Sequence, residues 1–244
     1  MLMTMHLFIF NVLSDLEPIA GSSVVRFQNV LKRGQGVVVS PQLVMTAVHG
    51  QCRVGTEFEI ISLSNCKRQG VLDMICYKKN RVDIALLRLK DGQPPFERWL
   101  RVSPRSARGE KLSVLSLPDN IFTGNMVFSV QGAEIHNFYE ETALARAQYY
   151  SSDGMSGAPI VSGVQSDGSV LVIGVHVAAH DDTEAPPAIK KVKGVAAEAD
   201  SVSDSAASLA KSIHGHSSFC LMCIASEVPE IMDAISRDLQ NGPR

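Results

Sequence analysis

The chain has 244 residues, with 25 acidic against 23 basic side chains for a net charge of −2, 45% hydrophobic residues and 20% charged ones. That balance gives no electrostatic reason for a nucleic-acid or membrane-surface partner, and it excludes disordered, collagenous and coiled-coil classes. Eighteen Gly and eleven Pro point to a turn-rich chain rather than a helical bundle, and the length allows one large domain or two small ones.

Residues 1–19 read as an N-terminal extension. Its apolar run, Leu2 to Leu13, is broken by His6 and Asn11 and is shorter than the roughly 20 residues a bilayer span needs. It has no basic leader, and Ile19-Ala20-Gly21 is a poor cleavage site, so a cytoplasmic or viral, host-intracellular location is expected over secretion. From 20 to 178, short β-rich runs recur about every ten residues: 23–27, 36–40, 44–46, 58–62, 83–89, 112–117, 127–130, 158–161 and 171–177. Without long helical periods between them, these runs predict an all-β barrel or sandwich. Gly92 to Pro104 is the most connector-like stretch and the expected boundary between two halves.

Residues 181–216 are Lys-, Ala- and Ser-rich and read as a long exposed loop. A buried strand is expected at 219–225, then a helix over 229–240, with Pro229 in its first turn and Ile231, Met232, Ile235 and Leu239 at helical spacing. Five cysteines form no disulfide framework. Cys220 and Cys223 have no second pair at zinc spacing, and three residues apart on a strand they face opposite sides, so no metal site is expected.

Three segments carry chemistry. Thr46-Ala47-Val48-His49 ends a strand on a histidine, Asp83 leads the apolar strand Ile84–Leu89, and Gly154-Met155-Ser156-Gly157-Ala158-Pro159 places a glycine-flanked serine before another strand. In this order the chain resembles the chymotrypsin-like serine peptidases, whose chain order is His, Asp, Ser. The separations, 34 and 73 residues, are compact. An α/β-hydrolase elbow is excluded because it needs a helix directly after the serine, where Pro159 and Ile160 read as strand.

The resemblance covers about residues 20–240. It implies two six-stranded antiparallel Greek-key barrels and a C-terminal helix: a first barrel at about 20–95, a second at about 105–228 with the 181–216 insertion, and the helix at 229–240. It implies a catalytic triad in which Ser156 attacks a peptide carbonyl, His49 is general base and then acid, and Asp83 orients His49. The backbone N–H groups of Gly154 and Ser156 would form the oxyanion hole. No metal or organic cofactor is implied, the expected partner is a polypeptide substrate, and oligomeric state is not legible. The competing class is a peptidase-like scaffold that binds a peptide or protein without cutting it.

Departures from the family pattern carry further expectations. Met155 stands where many zymogen-activated members have an Asp that pairs with a freed amino terminus, so activity without amino-terminal trimming is expected. No Cys precedes His49 to pair with Cys52, unlike secreted relatives. Tyr150 stands where an enzyme selecting basic side chains carries Asp. Ser151, five before Ser156, and His176, on the next strand, instead look like the pocket of glutamate- or glutamine-selective members, the bacterial glutamyl endopeptidases and RNA-virus serine proteases, with polyprotein processing as one role. The substrate strand is expected beside Val177-Ala178-Ala179, where family members are often Gly-rich. Glu134, His136 and Arg146 receive no assigned role, and His180, His214 and His216 read as solvated.

Overall fold

In the computed structural model the described residues are 16–30, 32–47, 52–76, 84–105, 111–118, 125–139, 143–152, 154–180 and 219–242. His49, Asp83, the 181–216 stretch and residues 1–15 lie outside them.

Strands β1 (Val24–Gln28), β2 (Arg33–Val38), β3 (Leu43–Thr46), β4 (Glu57–Ser62), β5 (Lys67–Cys76) and β6 (Ile84–Leu89) close into a barrel in the order β1-β2-β3-β6-β5-β4. After the short β7 (Arg101–Val102) come β8 (Leu112–Ser116), β9 (Ser129–Phe138), β10 (Leu144–Gln148), β11 (Pro159–Ser162), β12 (Leu171–His180) and β13 (Phe219–Ile224). These run β11-β8-β9-β10-β13-β12, and the β11–β12 pairing closes a second barrel, with β7 added in parallel to β12. Each barrel joins two three-strand meanders in the same way, a Greek-key pattern used twice. Closure removes the exposed edges that a sheet of short strands would otherwise present.

The apolar runs are continuous rather than alternating because both faces of these strands are buried. Val38, Val44, Phe27, Phe58 and Leu87 fill the first barrel, where Phe27 and Phe58 meet edge to face at 5.2 Å. Their neighbours Val37, Val39, Met45 and Leu86 point outward into a second cluster, which they share with Leu115, Val161, Val172 and Val175 of the second barrel. Leu112, Val114, Ala145, Ile160 and Met222 fill the second barrel. Cys220 and Cys223 fall in different clusters, both fully buried and both free thiols, as a period-two strand places them.

Three strands were not expected from the sequence: β5, β10 and the two-residue β7, which lies in the stretch read as a connector. In β5 the alternation slips at Asp73, where a bulge between Leu72 and Met74 turns that carboxylate out toward Arg88. In β10 the residues Leu144-Ala145-Arg146-Ala147-Gln148 are strong helix formers that pairing to β9 and β13 overrides.

The C-terminal helix, Pro229–Asn241, begins on Pro and is followed by Gly242. Its buried stripe is Ile231, Ala234, Ile235 and Asp238, while Leu239, expected inward, is 45% exposed. The last turn faces first-barrel polar groups: Ser40 Oγ donates to Asp238 Oδ2 at 2.6 Å, and Arg88 Nη1 donates to Oδ1 at 2.7 Å. A buried carboxylate is tolerated there because both oxygens are satisfied. Asp238→Ala is expected to lower unfolding free energy by about 2–3 kcal/mol in urea titration, the lower range for a broken buried pair because Arg88 keeps Asp73.

Candidate active site

The Ser151–Pro159 segment crosses from β10 to β11 through a turn that L side chains rarely adopt. Gly154 has φ +84 and Gly157 φ +82. A Cβ at 154 would meet open space, so backbone conformation alone calls for glycine there. At 157 a Cβ would overlap the Gln35 carbonyl oxygen and Thr46 Oγ1 and lie 3.0 Å from the Ala47 nitrogen. Gly157 is therefore what allows the loop to press against the first barrel.

This approach joins three segments. The Gln35 N–H donates to the Ser156 carbonyl at 2.7 Å. Gly36, next to Gln35, pairs with Thr46, and Thr46 pairs with Ala85. Because β3 and β6 are antiparallel, the end of β3 and the start of β6 lie at the same rim of the barrel. Ser156, the chain leaving Thr46 and the chain entering Ala85 thus meet at one rim. Within the loop, the Met155 carbonyl accepts the Ala158 N–H at 2.8 Å, and the buried Met155 accepts the Ser152 N–H on its sulfur at 3.3 Å.

Beside the loop lies a buried polar group. His176 on β12 is 3% exposed. Its Nδ1 is 2.8 Å from the Tyr149 hydroxyl and its Nε2 3.1 Å from Ser151 Oγ, and the Tyr149 and His176 rings meet edge to face at 5.6 Å. Burial, with the Cys220 thiol adding, holds the Tyr149 phenol well above its ordinary range, so it stays protonated. Burial likewise pushes Cys220 up to about 12, against the lowering effect of hydrogen bonds with Ser151 and Tyr149. Either ring nitrogen can carry the proton: the tautomer in which the phenol donates to Nδ1 keeps the ring proton on Nε2, beside Ser151 Oγ. Tyr149 was not singled out from the sequence. It directly follows β10 and is 4% exposed, while its neighbour Tyr150 is 62% exposed, and no sequence motif marks the difference.

Strand β12 bulges between His176 and Ala178, and from 178 to 180 it pairs with β13 on one side. On its other side, pairing with β11 ends near Val175, with the Gly157 N–H donating to the His176 carbonyl at 2.8 Å. Among the other polar residues near this barrel, His136 Nε2 contacts Gln148 Oε1 at 3.1 Å on the surface, Glu134 is exposed, and Arg146 is half-buried on β10. Among the described residues no group of three His, Cys, Asp or Glu could hold a metal ion, and no helix is long and apolar enough to cross a membrane.

No family model and no curated protein sequence matches the chain. Solved structures do. The Rv3671c protease of M. tuberculosis, in its inactive form, aligns at TM-score 0.57 with 18% identity, over 92% of this chain and 94% of its own. A Tobacco Etch Virus protease mutant aligns at TM-score 0.58 with 16% identity, over 92% and 81%. The serine protease of a human pathogenic astrovirus aligns at TM-score 0.51 with 14% identity, over 84% and 91%. Two closed six-stranded Greek-key barrels, a C-terminal helix and these likenesses give one conclusion: the chain has the chymotrypsin-like peptidase fold.

Proposed function

We propose that the chain is a serine endopeptidase in which Ser156 is the nucleophile, His49 the general base and acid, and Asp83 the group that orients His49. The observation that carries this reading is the cross-barrel register, in which Ser156 meets the end of β3 and the start of β6 at one rim. In the sequence His49 follows Ala47 by two residues and Asp83 directly precedes Ile84, the chain order and strand contexts that the triad requires. Attack by Ser156 on a peptide carbonyl forms an acyl-enzyme and expels the amine, which takes its proton from His49; water activated by His49 then releases the acid. The N–H groups of Gly154 and Ser156 receive the developing negative charge.

Ser151 and His176 form the pocket for the side chain before the cleaved bond. In the tautomer with Nδ1 engaged by the Tyr149 hydroxyl, His176 presents Nε2–H beside the Ser151 hydroxyl, two donors for one substrate oxygen. That pair fits the side-chain oxygen of a glutamine or glutamate before the cleaved bond. The substrate backbone adds along β12 beyond Val175, beside the pocket.

His176→Leu is expected to lower kcat/KM on Gln-containing peptides about a hundredfold by leaving the substrate amide unpaired. Labelling of Ser156 by a fluorophosphonate should persist in that variant, since the probe needs no such side chain. A profile over a peptide library checks this, and an unchanged preference in His176→Leu would rule the pocket out. The function itself is tested by fluorophosphonate labelling of the purified chain beside His49→Ala. A folded wild type that takes no label would favour a peptide-binding scaffold.

A further inference from the structure

Gln35 touches the site from the opposite barrel, and all its polar groups are engaged. It is 3% exposed on β2, where alternation gives no reason to bury an amide. Its Nε2 donates to the Gly154 carbonyl at 3.1 Å, and its Oε1 accepts the Leu117 N–H at 2.8 Å. Its own N–H donates to the Ser156 carbonyl, and its carbonyl accepts Thr46 Oγ1 at 2.6 Å. The amide has one permitted orientation, because Leu117 N offers only a proton and Gly154 O only lone pairs.

We infer that Gln35 is a positioning residue that presets the oxyanion loop, an inference that deepens the peptidase reading and rests on it for its catalytic half. The carbonyls of Gly154 and Ser156 are drawn into the first barrel by Gln35, and the carbonyl between them, of Met155, is held by Ala158. Three successive peptide planes are thereby fixed by their oxygens. In a trans peptide the N–H points opposite its carbonyl, so the Ser156 N–H is aimed away from Ala158 without any contribution from substrate. Met155 supplies no charge to hold this loop, so the constraint comes from a neutral amide reaching across the interface. Preset donors cost no reorganisation when charge develops, which is where such groups act most strongly.

The test uses the full chain and two variants, Gln35→Met, nearly isosteric, and Gln35→Ala. Amide hydrogen exchange over 152–158 is read alongside kcat and KM on the best-cleaved peptide of a Gln and Glu library. Amides of 154–157 should exchange at least about tenfold faster in both variants, while β8 and β11 keep their rates. The value of kcat should fall about 10- to 100-fold with KM within about threefold, since loosening one donor pair touches the transition state more than the ground state. Unchanged exchange at 154–157, a loss carried by KM, or a loss that tracks global unfolding overturns the role of Gln35. A wild type that neither labels nor cleaves, while both variants loosen the loop, leaves Gln35 as the clamp and removes the peptidase reading.

Discussion

Ser156→Ala is expected to abolish fluorophosphonate labelling and to reduce peptide hydrolysis about 10⁴- to 10⁶-fold while leaving the urea midpoint close to that of the wild type. The size of the effect follows from the proposed mechanism: without the Ser156 hydroxyl no acyl-enzyme would form, and only the proposed oxyanion donors and substrate binding would remain to assist water. The small effect on stability follows from the structure. The backbone of residue 156 is held through its carbonyl by Gln35, and its neighbours carry the turn, so the fold does not depend on Oγ. His49→Ala should lose nearly as much, because in the proposed triad nucleophile and base act as a unit and their losses do not add. Intact protein mass spectrometry after labelling reads both variants, and a labelled Ser156→Ala chain would move the nucleophile elsewhere.

Gly157→Ala is expected to be the most destabilising single-methyl change in the site, by about 4 kcal/mol. A left-handed backbone costs an L residue about 1–2 kcal/mol. Displacing a tightly packed backbone adds about 1–3 kcal/mol. Here the obstacles are the Gln35 carbonyl, Thr46 Oγ1 and the Ala47 nitrogen, none of them the end of a flexible side chain. Gly154→Ala is the matched control. It has nearly the same positive φ but opens onto free space, so only the backbone cost of about 1–2 kcal/mol applies. Equal losses for the two variants in chemical denaturation would mean that the loop does not press on the first barrel.

The fold was legible in the sequence to the extent that strands announce themselves by apolar runs and turns by glycine and proline. Val37-Val38-Val39 and Leu86-Leu87 read as strands because both of their faces are buried. The Asp73 bulge and the helix-forming β10 were hidden because their strand character comes from partners distant in the chain. The loop from Gly154 to Gly157 and the pair Ser151 and His176 were legible as types at spacings, and the structure adds a contact between those two. Tyr149 and Gln35 could not have been found that way. Each matters through hydrogen bonds to residues 27 and 119 positions away, and neither sits in a motif. The helix face was misjudged for a related reason: Asp238 is polar in composition, and only its partners on the first barrel make it a buried residue.

The contact between Ser40 and Asp238 joins residues 198 positions apart. During synthesis the first barrel has all six strands by residue 89, well before the helix that caps its β2–β3 turn exists. Until the last turn of that helix arrives, Arg88 and Ser40 face solvent, and the outward row Val37, Val39, Met45 and Leu86 lacks its cover from the second barrel. The first barrel therefore carries an apolar flank until the second barrel has been made, and the contact across 198 residues can form only after the helix is synthesised. Proteins governed by such distant pairings fold slowly and expose sticky intermediates, so yield on expression should respond more to temperature and chaperone supply than to the stability of the finished fold.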